Sequence, residues 1–239
     1  MTIAENVAGV RQRIQAAASR AQRDPKKIEL MAVSKTVPAE SIREAYEAGI
    51  RLFGENRVQE FTGKAPALRE FTEARWHMIG HLQTNKAGSA IELFNAIDSL
   101  DSLRLAQKLN AAAMHSERKL PVLIEINIGG EQAKSGVALD SEELKQLLSI
   151  APELKNLEIR GLMALPPYSE DPEQSRPFFR RMREKFHEIS NQRLPAIGML
   201  DVLSIGMSHD FEIAIEEGAT RIRVGTAIFG ERKSARSKA

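Results

Sequence analysis

The chain has 239 residues, 42% of them hydrophobic and 28% charged, with a formal net charge of +2. That ordinary globular mix excludes a largely disordered polymer, and the length is one that a β/α barrel fills as a single domain over 1–239. With no cysteine, disulfide frameworks, thiolate metal sites and thiol nucleophiles are excluded, and a reducing cytoplasm is the expected setting.

Residues 1–25 read as an amphipathic helix, charged throughout, without the apolar core of a secretory signal. A buried strand follows at 28–33 and ends at Ser34-Lys35-Thr36, after which Pro38 opens a helix near its first turn. Further apolar runs at 51–54, 77–80, 93–97, 121–128, 159–164, 200–205 and 221–224 read as strands. Helical patterns at 39–48, 57–71, 84–91, 102–118, 141–151, 173–191 and 209–217 separate them. About eight such units predict an α/β fold, a single-domain (β/α)8 TIM barrel with an extra N-terminal helix, and an open doubly wound sheet is the fallback. The tail 231–239 is basic and reads as frayed. No window is long and apolar enough to cross a membrane, and aromatics are too scarce for a nucleic-acid surface. Neither partner class is expected.

Chemistry concentrates at the strand ends, where a parallel barrel places its functional loops. Lys35 leaves an apolar strand, and desolvation there favours the neutral amine that attacks an aldehyde. Taken alone, the position also suits a lysine that merely reaches solvent. Near the C-terminus, Leu203-Ser204-Ile205-Gly206-Met207-Ser208 and Arg223-Val224-Gly225-Thr226-Ala227 each run an apolar strand into small residues. Glycines let a backbone approach an anion, hydroxyls donate to it, and a helix beginning near Ser208 would add its amides. Two ordinary glycine turns are the alternative. Arg223 should share a face with Gly225 and, being buried, needs a partner: either a ligand or an ion pair with Glu212 or Glu216. Asn56 ends the second strand, as a helix cap or beside a planar ligand. His77 and His81 stand about 13 Å apart if the strand is extended. They make no shared metal site unless the chain turns at Gly80, and no metal is expected.

Taken together, the segments Ala32-Val33-Ser34-Lys35-Thr36, Phe53-Gly54-Glu55-Asn56, His77-Met78-Ile79-Gly80-His81-Leu82-Gln83-Thr84-Asn85-Lys86, Gly161-Leu162-Met163, 203–208 and 223–230 closely resemble the pyridoxal phosphate homeostasis protein family. Those proteins are barrel relatives of the N-terminal domain of alanine racemase. The resemblance spans nearly the whole chain and implies pyridoxal 5'-phosphate as cofactor, held as a Schiff base on Lys35. It further implies that Asn56 and Met163 lie beside the cofactor and that Arg223 faces the pyridine nitrogen. Ser204, Gly206, Ser208, Gly225 and Thr226 would hold the phosphate. The chain departs from the family pattern at three places: Arg57 where tyrosine is common, Ile205 where methionine is frequent, and the pair His209-Asp210 after Ser208. The implied role is to bind and buffer the cofactor and hand it on, with dependent apoenzymes as transient recipients and no established turnover. A racemase of limited activity is the alternative. It would use Lys35 alone or with Tyr168 as a second base; a two-base racemase needs a group opposite Lys35, and the only tyrosines are Tyr46 and Tyr168. A monomer is expected.

Overall fold

The computed structural model describes residues 1–115, 119–131, 134–192 and 200–231. The end of the helix expected at 102–118 and the tail beyond 231 therefore lie outside the described residues. Eight strands close into a parallel barrel. In chain order they are β1 (Glu29–Val33), β2 (Leu52–Glu55), β3 (Arg75–Met78), β4 (Ala96–Leu100), β5 (Leu120–Asn127), β7 (Leu157–Ala164), β8 (Val202–Met207) and β9 (Arg221–Val224). The sheet runs β4-β3-β2-β1-β9-β8-β7-β5, and the β4–β5 pairing closes it. A two-residue strand, β6 (Val137–Ala138), pairs with the far end of β5 and was not expected from sequence. This is a TIM barrel, and the doubly wound alternative falls.

The outer layer comprises α1 (Ile3–Arg20), α2 (Ala39–Glu47), α3 (Val58–Lys64), α4 (Ala87–Leu93), α5 (Leu103–Ala113), α6 (Glu142–Ser149), α7 (Arg176–Asn191), α8 (Phe211–Glu216) and α9 (Thr226–Phe229). Helix α9 is a single turn and cannot cover its sector of the barrel. The N-terminal helix takes that place, packing on α8, α9 and α2 through Val7, Val10, Ile14, Ala17 and Ala18. A capping box of Thr2 and Glu5 starts it.

Element boundaries moved where local chemistry overrode periodicity. The helix expected at 57–71 stops at Lys64 and continues as a 3-10 turn over Ala65–Leu68, because Pro66 cannot supply a backbone donor. Residues 84–86 form a 3-10 turn, α4 runs on through Leu93, and β4 consequently starts at Ala96. No helix begins at Ser208. Asp210 precedes α8, and its carboxylate accepts from Met207 N at 2.6 Å and Ser175 Oγ at 3.0 Å.

The barrel interior is unusually charged. Arg221 on β9 donates to Asp98 on β4 at 3.0 Å, and these strands are not neighbours, so the contact crosses the interior. Glu29 accepts from Arg221 at 2.7 Å, and His77 Nδ1 lies 3.0 Å from Asp98. Burial opposes ionisation of Asp98, but His77 and Arg221 outweigh it and hold its pKa below the ordinary aspartate value. Leu123, Met163 and Val202 form an apolar cluster separate from the outer core.

Candidate functional site

Lys35 sits in a tight turn immediately beyond β1. Val37 N donates to Ser34 O at 3.0 Å, so Lys35 and Thr36 are the two central residues of that turn. Thr36 has φ +62°, a left-handed conformation that costs a β-branched residue conformational energy. Helix α3 holds the turn from outside the barrel. Glu60 Oε1 accepts from Thr36 N at 2.5 Å, and Lys64 Nζ donates to Ser34 O at 3.0 Å. Ser34 Oγ donates to the fully buried Glu55 at 2.7 Å, and Lys64 bridges Glu55 and Glu60. Burial raises the Glu55 pKa even against the pull of Lys64. Both residues flanking Lys35 are thus tied to one charged cluster, which is how the fold keeps a strained turn in place.

The ends of β8 and β9 meet next to this turn. Gly206 has φ +88°, and a Cβ there would stand 2.5 Å from Ala214 Cβ, so the residue must be glycine. Ser208 Oγ accepts from Gly225 N at 3.1 Å and Ala227 N at 3.3 Å, at the start of α9. With its oxygen so engaged, the Ser208 hydroxyl proton remains available to an anion. Gly225 differs from Gly206. Its φ is −112°, and a Cβ would meet only Val33, at 3.5 Å, which is ordinary contact. The protein alone does not require glycine there, whereas a ligand lying against the backbone would.

Arg223 is buried and donates to Ser204 O and Ser204 Oγ, both at 2.7 Å, and to Ala164 O at 2.8 Å. Burial lowers its pKa to about 10. The ion pairs considered from sequence do not form: Glu212 binds Arg13, and Glu216 binds Arg20 and Arg176. Ser204 therefore lies inside the barrel under Arg223, at a distance in role from the hydroxyl of Ser208. Met163 is fully buried beside Ser204 in register. Asn56 follows β2, pressed close to Gly80, where an added Cβ would meet Asn56 O at 2.5 Å. Its buried Oδ1 has no hydrogen-bond partner.

Near the barrel mouth, helix α9 and Glu125 were missed in the sequence. Helix α9 is too short to leave a periodic signal. Glu125 is a carboxyl in an otherwise apolar strand, and that break in the run was the clue. It is 5% exposed; Ser135 Oγ donates to its Oε1 at 2.9 Å, and Oε2 has no partner. The histidines go to separate carboxylates, His77 to Asp98 and His81 to Asp101 at 2.6 Å. No group of three or more potential metal ligands occurs among the described residues. Nor is any helix among them long and apolar enough to cross a membrane.

Residues 6–233 match the family model of the alanine racemase N-terminal domain. A pyridoxal phosphate homeostasis protein of Aquifex aeolicus is 47% identical, over 98% of this chain and 100% of its own. That of Escherichia coli K12 is 45% identical, over 96% and 97% respectively. Among solved structures, PipY of Synechococcus elongatus PCC7942 with PLP bound superposes with a TM-score of 0.82 at 37% identity, covering 96% of this chain and all of that one. An alanine racemase of Clostridium difficile shares the fold at 15% identity and a TM-score of 0.65. The chain accordingly belongs to the pyridoxal phosphate homeostasis protein family, one branch of the barrels built on the alanine racemase N-terminal domain.

Proposed function

We propose that this chain binds pyridoxal 5'-phosphate at the carboxyl end of the barrel as a Schiff base with Lys35. In this reading it serves cytoplasmic balance of that cofactor as a monomeric carrier, with dependent apoenzymes as transient recipients. The observation that carries the reading is the meeting of the Lys35 turn with the start of α9. Gly225 leaves room against Val33, two residues before Lys35, and Ser208 holds the amides of Gly225 and Ala227. Bound there, the cofactor supplies an electrophilic formyl carbon to a lysine amine.

The residues divide the work by what they already touch. Gly206 and Gly225 let the backbone approach the phosphate, while Ser208 and Thr226 donate hydroxyls to it. Ser204 is assigned instead to holding Arg223, which faces the pyridine nitrogen; a cationic partner there disfavours protonation of the ring and weakens it as an electron sink. Asn56 offers its unpartnered amide, and Met163 gives an apolar floor.

The racemase reading is less well supported. Tyr46 stacks on Phe71 at 4.5 Å in the outer layer, and Tyr168 is 80% exposed in the loop after β7. Neither is held as a base opposite Lys35.

The direct test is an absorbance spectrum of the purified protein incubated with the cofactor, before and after borohydride, followed by peptide mass mapping. A yellow protein whose fixed pyridoxyl group maps to Lys35 supports the reading, and a colourless, unmodified protein overturns it. Thr226→Ala is expected to weaken cofactor retention by roughly ten- to a hundredfold, the worth of about 1.5–3 kcal/mol for a hydrogen bond to a charged group. The covalent adduct should still form. Unchanged affinity in equilibrium dialysis would remove Thr226 from the phosphate site.

A further inference from the structure

The closed sheet places β5 four strands from β1 in either direction, so Glu125 faces the Lys35 side of the mouth from across the barrel. It pairs in register with Met163 on β7, and Leu123, two residues earlier on the same face, belongs to the interior apolar cluster. Ser135 fixes one carboxyl oxygen, while the other is buried and has no partner. A buried acceptor left in this state is costly, so a carboxyl kept there calls for a ligand. The charged groups acting on it are Asp101 and His81 from the ends of β4 and β3 and Arg223 from β9.

The chemistry of the cofactor selects what that oxygen would meet. On the pyridoxal ring the hydroxyl and the phosphate-bearing arm flank the formyl carbon on opposite sides. If the formyl carbon is at Lys35 and the phosphate at the ends of β8 and β9, the hydroxyl lies toward the β2–β5 flank. There, among the described residues, the unpartnered buried oxygens are those of Asn56, Glu125 and Asn127, and the Asn127 amide nitrogen is committed to Glu131 O and Lys134 O. We propose that Glu125 is a further binding residue of this site, whose Oε2 hydrogen-bonds the phenolic oxygen of the bound ring. The inference rests on the cofactor reading above. Burial raises the Glu125 pKa, and a carboxyl that carries a proton donates to that oxygen and avoids two facing anions.

The test uses two ligands without a formyl group, so that Schiff-base formation plays no part: 4'-deoxypyridoxine 5'-phosphate and its analogue lacking the 3-hydroxyl. Dissociation constants are measured by calorimetry for the full-length protein and for Glu125→Gln, Glu125→Leu and Glu125→Ala. The wild-type protein is expected to prefer the hydroxylated ligand by about tenfold, the scale of one hydrogen bond. Glu125→Gln, which keeps an N–H donor, should retain most of that preference, and the leucine or alanine variant should lose it. Persistence of the full preference in both apolar variants, or no preference in the wild type, overturns the assignment of Glu125 alone. Failure of the wild type to bind either ligand overturns the cofactor reading with it.

Discussion

Lys35→Ala is expected to abolish every borohydride-fixable pyridoxyl adduct at the barrel mouth while leaving a weaker, non-covalent affinity for the cofactor. The amine is the sole nucleophile in this assignment, whereas the proposed phosphate subsite draws on Gly206, Ser208, Gly225 and Thr226, at the ends of β8 and β9, and does not depend on it. Two measurements separate these parts: peptide mapping after borohydride reads the covalent bond, and equilibrium dialysis reads the phosphate subsite. An adduct that moves to Lys64, which lies behind the same turn bonded to Ser34 O and Glu55, would show that the turn admits a second amine. An adduct of unchanged yield and location in the remaining sequence would refute the Lys35 assignment.

The largest stability effect is expected at the opposite end of the barrel. Asp98→Ala removes the buried carboxylate that joins His77 and Arg221, leaving the Arg221 guanidinium buried with Glu29 as its remaining ion-pair partner. Breaking a buried pair on one side costs about 3–5 kcal/mol, a large part of the stability of a typical domain. Urea denaturation checks the figure, and Asp98→Asn, which keeps the shape and one acceptor, should cost less. The pH dependence has a definite sign. The folded-state pKa values of Asp98 and Glu29 lie below their ordinary values, for Glu29 because Arg221 and Arg75 outweigh the cost of burial. Their contribution is therefore fully present above the ordinary carboxylate range near about pH 4 and is lost as pH falls through the depressed values. The wild-type melting temperature should drop more steeply than that of Asp98→Ala between about pH 5 and pH 3, since the variant has lost one of these carboxylates. Parallel curves would show that Asp98 is not linked to folding in this way.

The strand ends carried most of what could be read in advance. Alternation of short apolar runs with helical patterns was enough for a parallel α/β fold, because each run must bury both faces and each helix one, while the choice of a closed barrel over a doubly wound sheet was settled by the β4–β5 pairing. The glycines at 206 and 225 stood out for the same local reason, although the structure separates them: Gly206 is required by its own backbone and by Ala214, Gly225 by neither. Ser204 and Ser208 looked interchangeable in a single motif. Arg223 claimed the first, and the amides at the start of α9 claimed the second.

What the sequence by itself determined is the order of elements, the lysine at the end of β1 and the small-residue loops after β8 and β9, all of which follow from local periodicity and residue size. Only the tertiary structure decided that Arg223 has Ser204 and Ala164 as partners instead of Glu212 or Glu216. It also decided that Glu60 and Lys64 hold the Lys35 turn, and that Glu125 stands across the barrel from it. Those contacts join residues on different strands and helices. Barrel closure sets the distances between them, and no spacing along the chain encodes it.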